Sequence, residues 1–388
     1  MKLILKLLAG ILGGIVVGLF FPDAVIRLLL TFKVMFGQLL FFTIPLLILF
    51  FITSGIAGLP RNSGRLLGRT LGTAYASTVI AGTLAFLVAA AVVPLLSAAD
   101  AAATIDETDA LTPFVEIAIP PLMTIMSALT AAFIFGLGIA ATRADRLGAV
   151  FNEGRDVIEK LLVVVIIPLL PFYIAGVFAE LAAAGTVFET LKTFGVILVL
   201  SISLHWAWIL VLFVIAGLLA GRSPLKLIRN MLPAYFTALG TMSSAATIPV
   251  TLQSVRNNEV DEDIAGFTVP LCATTHLAGS TITIVACAVA VMVLHDALSV
   301  PSLLAIWPFI FMLGVVMLAA PGVPGGAVMS AVALLVSMLG FGESAIALMI
   351  ALYMAQDSFG TACNVTGDGA IALMIDQAAG EAKENGSS

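Results

Sequence analysis

Long apolar runs broken by short polar seams set the pattern of this chain. Largely uncharged stretches lie near residues 3–21, 31–58, 68–96, 113–141, 157–183 and 190–220. Each approaches or exceeds the roughly 20 residues with which a helix crosses a hydrocarbon core about 30 Å thick, so the pattern predicts six crossing helices. After Arg222 the pattern changes. The segment from Ser223 to Gly240 runs into Thr241-Met-Ser-Ser-Ala-Ala-Thr-Ile-Pro249 and stops near Val255. The helix after that seam reaches only about 20 Å, too short to cross. Arg222 and Arg256 then bracket a hairpin that enters and leaves by one face, with Ser243, Ser244 and Thr247 at its tip. Pro301 to Leu339 repeats the arrangement from the opposite face, with its tip at Ala319-Ala-Pro-Gly-Val-Pro-Gly-Gly326. Between the hairpins, Pro270-Leu-Cys-Ala-Thr-Thr-His-Leu-Ala-Gly-Ser280 interrupts a further span, predicting a helix unwound near the midplane, and a last span closes the chain. Irregular backbone survives at that depth only where protein or a water-lined cavity satisfies its N–H and C=O groups. The expected fold is therefore an all-α polytopic membrane protein with eight transmembrane helices and two re-entrant helical hairpins arranged as inverted repeats.

Composition agrees with this class. Of 388 residues, 61% are hydrophobic and 10% charged, and the mean hydropathy is +1.16, more apolar surface than a soluble fold of this length could hide. Placing the N-terminus inside and alternating sides leaves only Arg27, Lys33 and Lys192 outside. The other 14 of the 17 Lys and Arg fall on the cytoplasmic side, the bias expected of a multi-pass protein in the inner (plasma) membrane with both termini cytoplasmic. Lys2 and Lys6 precede an apolar run that resembles a signal peptide, but Phe20-Phe-Pro-Asp23 offers no small-residue cleavage site, so a retained first helix is expected. The acidic stretch Ala98 to Thr112 reads as an exterior linker. No basic patch suggests a nucleic-acid partner. Cys272, Cys287 and Cys363 lie in apolar segments without metal-ligand or CxxC spacing, so no disulfide framework is expected.

One polar stripe interrupts the last span. Asp357, Thr361, Asn364 and Asp368 fall at i, i+4, i+7 and i+11, within an arc of roughly 60° on a helix turning about 100° per residue. Carboxylates at bilayer depth cost several kcal/mol and mark substrate or ion paths. Two interrupted segments in matching positions of two half-repeats point to the same place. Enzyme readings find little support. Both aspartates share one helix, whereas an aspartyl protease needs them facing from two, and no HExxH occurs. A passive channel remains open as an alternative, because paired hairpins also build pores. His205, beside Trp206 and Trp208, reads as a packing or interfacial residue, and His295 with Asp296 as a solvated helix end.

The tip ending Thr247-Ile-Pro249-Val-Thr251, the tip Gly322-Val-Pro-Gly-Gly326, and Asn364-Val-Thr-Gly-Asp368 resemble the dicarboxylate/amino acid:cation symporter family, the glutamate transporter homologues. The resemblance covers nearly the whole chain. It implies a homotrimer in lipid whose scaffold helices, about 1–66 and 113–189, hold the trimer contact. Elements 67–96 and 190–376 would move as an elevator, with 377–388 a cytoplasmic tail. The resemblance also implies roles. Asp357 would bind the α-amino group of an amino acid, and Asn364, aided by backbone N–H groups near Ser243 and Ser244, its α-carboxylate. Gly360, Thr361 and the tip residues Val323, Pro324 and Gly325 would line the same pocket. Asp368 would ligate sodium with groups of Cys272, Thr274, His276 and Asn364, and Tyr75 and Thr78 would serve a deeper ion position.

Two departures from the family pattern change the expectation. Gly360 stands where acidic-substrate members carry an arginine for the side-chain carboxylate, and a second carboxylate without that partner would be desolvated at a cost of several kcal/mol. A neutral amino acid is therefore the expected substrate. Ala278 stands where the family has an aspartate shared by sodium positions, within His276-Leu-Ala278-Gly279-Ser280. Fewer sodium ions than usual, or proton coupling through His276, is the expectation, with an exchanger or uniporter as the alternative.

Overall fold

A computed structural model describes residues 2–58, 64–97, 111–295 and 297–386. Helices account for the secondary structure among them: α1 Lys2–Phe20, α2 Asp23–Ala57, α3 Gly64–Ser97, α4 Ile125–Thr142, α5 Asp145–Leu161, α6 Ile167–Ala183, α7 Val187–Ala220, α8 Pro224–Thr241, α9 Ser244–Asn257, α10 Glu262–Thr275, α11 Ala278–Leu294, α12 Leu303–Met317, α13 Gly326–Leu339 and α14 Glu343–Gly386. A π-helical turn, Leu162–Ile166, joins α5 to α6, just before Pro168, which supplies no N–H to an α ladder. Arg61, Asp296, most of the stretch Ala98 to Thr112 and the last two residues of the expected tail lie outside the described residues.

Among the described residues six helical segments are long and apolar enough to cross a membrane: Asp23–Ala57, Leu66–Leu95, Asp145–Ala183, Val187–Ala220, Glu262–Leu294 and Glu343–Ala379. The apolar windows of Glu262–Leu294 and Glu343–Ala379 are 89% buried, against 39% for Leu66–Leu95, which puts α10, α11 and α14 at the centre. Large apolar side chains stay exposed on the outer helices, Leu12, Val157, Val199 and Leu218 among them, as a lipid-facing surface requires.

One expected span is corrected. Helix α4 begins at Ile125, not near residue 113, and residues 111–124 are irregular. Pro113, Pro120 and Pro121 lack the N–H a helix needs and push their predecessors toward extended backbone.

Packing divides the helices into two groups. α1, α2, α4, α5 and α6 pack chiefly on one another, while α3 and α7 to α14 gather around α11 and α14. Helix α1 lies against α6 through Gly10, Gly14 and Gly18, spaced four apart. A Cβ at these positions would come within 2.3, 2.3 and 2.4 Å of the carbonyl oxygens of Pro171, Ala175 and Ala179. Small residues at this spacing let backbones approach in lipid, where apolar side chains alone give little drive to associate.

The interrupted elements fall at the expected seams. Helices α8 and α9 pack on each other and on α14, and at about 1.5 Å per residue the 14 residues of α9 span about 21 Å. At the base of this hairpin Arg222 pairs with Glu259 at 2.9 Å, and Asn258 Nδ2 donates to Leu227 O at 3.2 Å. Helices α12 and α13 pack on each other in the same way, joined through Leu318 to Gly325. The chain between α10 and α11 breaks at His276 and Leu277, whose ψ angles of 95° and 43° leave the helical region.

Candidate functional site

Asp357, on the buried face of α14, sits where both hairpin tips converge. Its Oδ1 accepts from the Tyr353 hydroxyl at 2.8 Å and its Oδ2 from the Gly325 N–H at 2.7 Å. Gly325 adopts φ +75°, and a Cβ there would meet Met354 Sδ at 2.7 Å. A left-handed glycine is what brings this amide to the carboxylate. The tips also touch each other: Ser243 Oγ donates to Gly322 O at 2.9 Å while capping α9 by accepting from Ala246 N at 3.3 Å. Between them lies a cavity of about 20 Å³, its polar lining drawn from Ser244, Ser280, Tyr353, Asp357, Thr361 and Asn364. Met242, Leu277, Ala320 and Val323 supply apolar wall, and among the described residues no Lys, Arg or His lines it. Ser244 opens the first turn of α9, and a helix N-terminus favours an anion.

The expected substrate residues do not all reach this cavity. Ser244, Val323, Asp357, Thr361 and Asn364 line it. Gly325 faces Asp357, Ser243 bonds the opposite tip, and Pro324 belongs to the same turn without lining the space. Gly360 points elsewhere, since a Cβ there would meet Thr283 Oγ1 at 3.3 Å and the Gly279 carbonyl at 3.4 Å. Helices α11 and α14 close on each other at Gly279 and Gly360, which leaves no space beside Gly360. His205 seals that crossing from α7, its Nε2 3.0 Å from both Gly279 O and Thr283 Oγ1. Because a carbonyl only accepts, Nε2 carries the proton. Asn364 spends its carbonyl oxygen on the Gly279 and Ser280 amides, at 2.7 and 3.2 Å, and its Nδ2 on Ser280 Oγ at 2.9 Å. It thereby caps the first turn of α11 from another helix.

A second polar cluster surrounds Asp368. His276 Nδ1 lies 2.9 Å from Asp368 Oδ1, and His276 Nε2 lies 2.9 Å from Ser77 Oγ. Ser77 also accepts from Trp208 Nε1 at 3.3 Å. Both members of the His–Asp pair are about 1% exposed. Gly367 makes room for the ring, since a Cβ there would stand 2.7 Å from His276 Cε1. Sequence reading missed Tyr353, Ser77 and Trp208, although Ser77 lies next to Thr78.

The remaining expected ion ligands lie apart. The Cys272 carbonyl accepts the His276 N–H at 2.8 Å. Thr274 is exposed and bonds Leu271 O. Tyr75 donates to Phe311 O at 3.1 Å, and Thr78 to Ala74 O at 2.9 Å. A hard cation needs several oxygen ligands. Here the imidazole takes one carboxylate oxygen of Asp368, the other, Oδ2, is buried without a hydrogen-bond partner among the described residues, and Ala278 adds no side-chain oxygen. Among the described residues no group of three or more His, Cys, Asp or Glu could hold a metal ion.

Apolar crossing helices interrupted by short broken ones, with buried carboxylates between them, define a multi-pass membrane protein of the transporter type. The sodium:dicarboxylate symporter family matches residues 3–378, and the chain belongs to it. Relatives include excitatory amino acid transporter 1 of Mus musculus, 28% identical over 250 residues that cover 61% of this chain and 43% of that protein. Excitatory amino acid transporter 5 of Homo sapiens is 30% identical over 199 residues, 51% of this chain and 34% of that protein. The matched stretch thus spans less than half the length of these relatives. The family and both relatives are transporters and not enzymes.

Proposed function

We propose that this protein is a secondary active transporter that carries a neutral amino acid across the inner (plasma) membrane with a cation. The observation that carries the reading is the uncompensated Asp357 carboxylate in a cavity roofed by both tips. Neutral donors hold its two oxygens, and among the described residues no cationic side chain meets it. A buried carboxylate so placed favours a substrate ammonium. The first turn of α9 at Ser244 favours the α-carboxylate, and the apolar wall suits a small uncharged side chain. A dicarboxylate finds no partner for its second charge, because Gly360 is closed against α11 and no base lines the cavity.

The cavity of about 20 Å³ is near the size that holds one water, so a tip must lift to admit an amino acid. The two packing groups supply the moving parts: α1, α2, α4, α5 and α6 as the scaffold of a homotrimer with eight crossing helices, and α3 with α7 to α14 as the elevator. Thermal stabilisation against a panel of amino acids, with and without sodium, tests the substrate. At about 100 times Kd a ligand selective for the folded state adds about 2.7 kcal/mol. L-alanine or L-serine should stabilise and L-aspartate should not, and the reverse result refutes the neutral pocket.

The coupling ion that the His276–Asp368 pair supports is a proton. The ring has a carboxylate at Nδ1 and a hydroxyl at Nε2, and Ser77 Oγ can donate to an unprotonated Nε2 or accept from a protonated one. Uptake into proteoliposomes should then follow an inward proton gradient and ignore a sodium gradient. Sodium dependence without pH dependence would restore sodium as the coupling ion, and indifference to both would leave an exchanger or uniporter.

A further inference from the structure

Behind the second tip lies a larger cavity of about 390 Å³, within the range that holds small ligands. Ala320, Pro321 and Gly322 line both this space and the small cavity at Asp357, so the tip is the partition between them. Arg155 and Glu159, one turn apart on α5, line the opposite wall with Ser54 of α2. Side chains four apart on a helix commonly pair with each other. Here Arg155 instead reaches Asp156, with Nη2 2.7 Å and Nε 3.1 Å from Oδ1. The Glu159 carboxylate has no ion pair or hydrogen bond among the described residues. The Ser54 hydroxyl is likewise without a partner there, in a side chain 5% exposed. A positive group, a negative group and an unsatisfied hydroxyl thus border one amphiphilic space beside the gate.

We propose that this cavity is a second, weaker station for the zwitterionic amino acid, between the roofed site and the Arg155 face of the membrane. Arg155 takes the α-carboxylate, Glu159 the ammonium and Ser54 a remaining polar group. The inference rests on the amino acid reading above, and its tests are chosen to separate the two. In oriented proteoliposomes, Arg155→Gln and Glu159→Gln should each raise the half-saturating L-alanine concentration from the Arg155 face by about threefold to fivefold, the scale of a partly exposed charge contact. Half-saturation from the other face should hold within about twofold. An unchanged value, or an equal change at both faces, overturns the station while leaving the main site standing. Wild-type protein that carries no amino acid refutes the main reading instead.

A second measurement does not depend on transport. A thiol placed by Thr274→Cys, exposed on the cavity wall, should be protected from a maleimide by L-alanine, and the protection should survive Asp357→Asn. Protection lost in Asp357→Asn, or absent in both backgrounds, overturns the proposal.

Discussion

Asp357 shows how a buried charge is held ready without being neutralised. Tyr353 Oη and the Gly325 N–H each engage one oxygen, which fixes the carboxylate but leaves its charge. Asp357→Asn keeps an acceptor for one of these donors, so the protein should fold, yet stabilisation by L-alanine should fall to the small part that the weaker second cavity supplies. Loss of a buried charge partner costs about 3–5 kcal/mol, a drop in affinity of more than about 100-fold. Undiminished stabilisation in this variant would move the ammonium site elsewhere. His276 is fixed in another way, by Asp368 on one nitrogen and Ser77 on the other. His276→Asn should abolish the response of uptake to a proton gradient, and Ser77→Ala should weaken it. Gly367→Ala presses a methyl to 2.7 Å from the ring and should cost about 1–3 kcal/mol through overpacking, read as a lower midpoint of thermal unfolding.

At the scale of elements, glycine spacing sets one contact. Gly10, Gly14 and Gly18 let α1 lie on the α6 backbone. Gly14→Leu should therefore lower thermal stability far more than Gly13→Leu, whose β-position meets nothing within 4 Å. Equal effects would show that the contact contributes little. This repeat is plain in the sequence, although apolar runs alone do not single it out. Other features were legible because they are local: the seams at Thr241 to Pro249 and Pro270 to Ser280, and the stripe from Asp357 to Asp368, declare themselves through breaks in an apolar pattern. The start of α4 was misjudged because its prolines sit in otherwise apolar sequence. Contacts between distant segments were not legible. The His276–Asp368 pair spans 92 residues, and Asn364 caps α11 from 85 residues away. No periodicity encodes either. Gly360 was expected to line the substrate pocket, whereas its surroundings depend on Gly279 and His205 approaching from two other helices.

For the molecule as a whole, the question is whether the two packing groups move past each other. Gly55 of α2 and Ala319 of the second tip meet across the boundary, and a Cβ built at Gly55 stands 2.8 Å from that of Ala319. A disulfide needs Cβ atoms about 3.5–4.5 Å apart, so a Gly55→Cys, Ala319→Cys pair closes after the backbones part by roughly 1 Å. Cys272, Cys287 and Cys363 are buried and poorly placed to compete. If the tip travels with α14 while α2 stays fixed, oxidation should arrest uptake and reductant should restore it, each single variant being unaffected by either reagent. The cross-link also holds the partition between the two cavities. L-alanine should then bind the oxidised protein more slowly if the tip must lift to admit it. Full cross-linking with undiminished transport would mean that α2 and the tip move as one body, and the division into a fixed scaffold and a moving core would have to be redrawn.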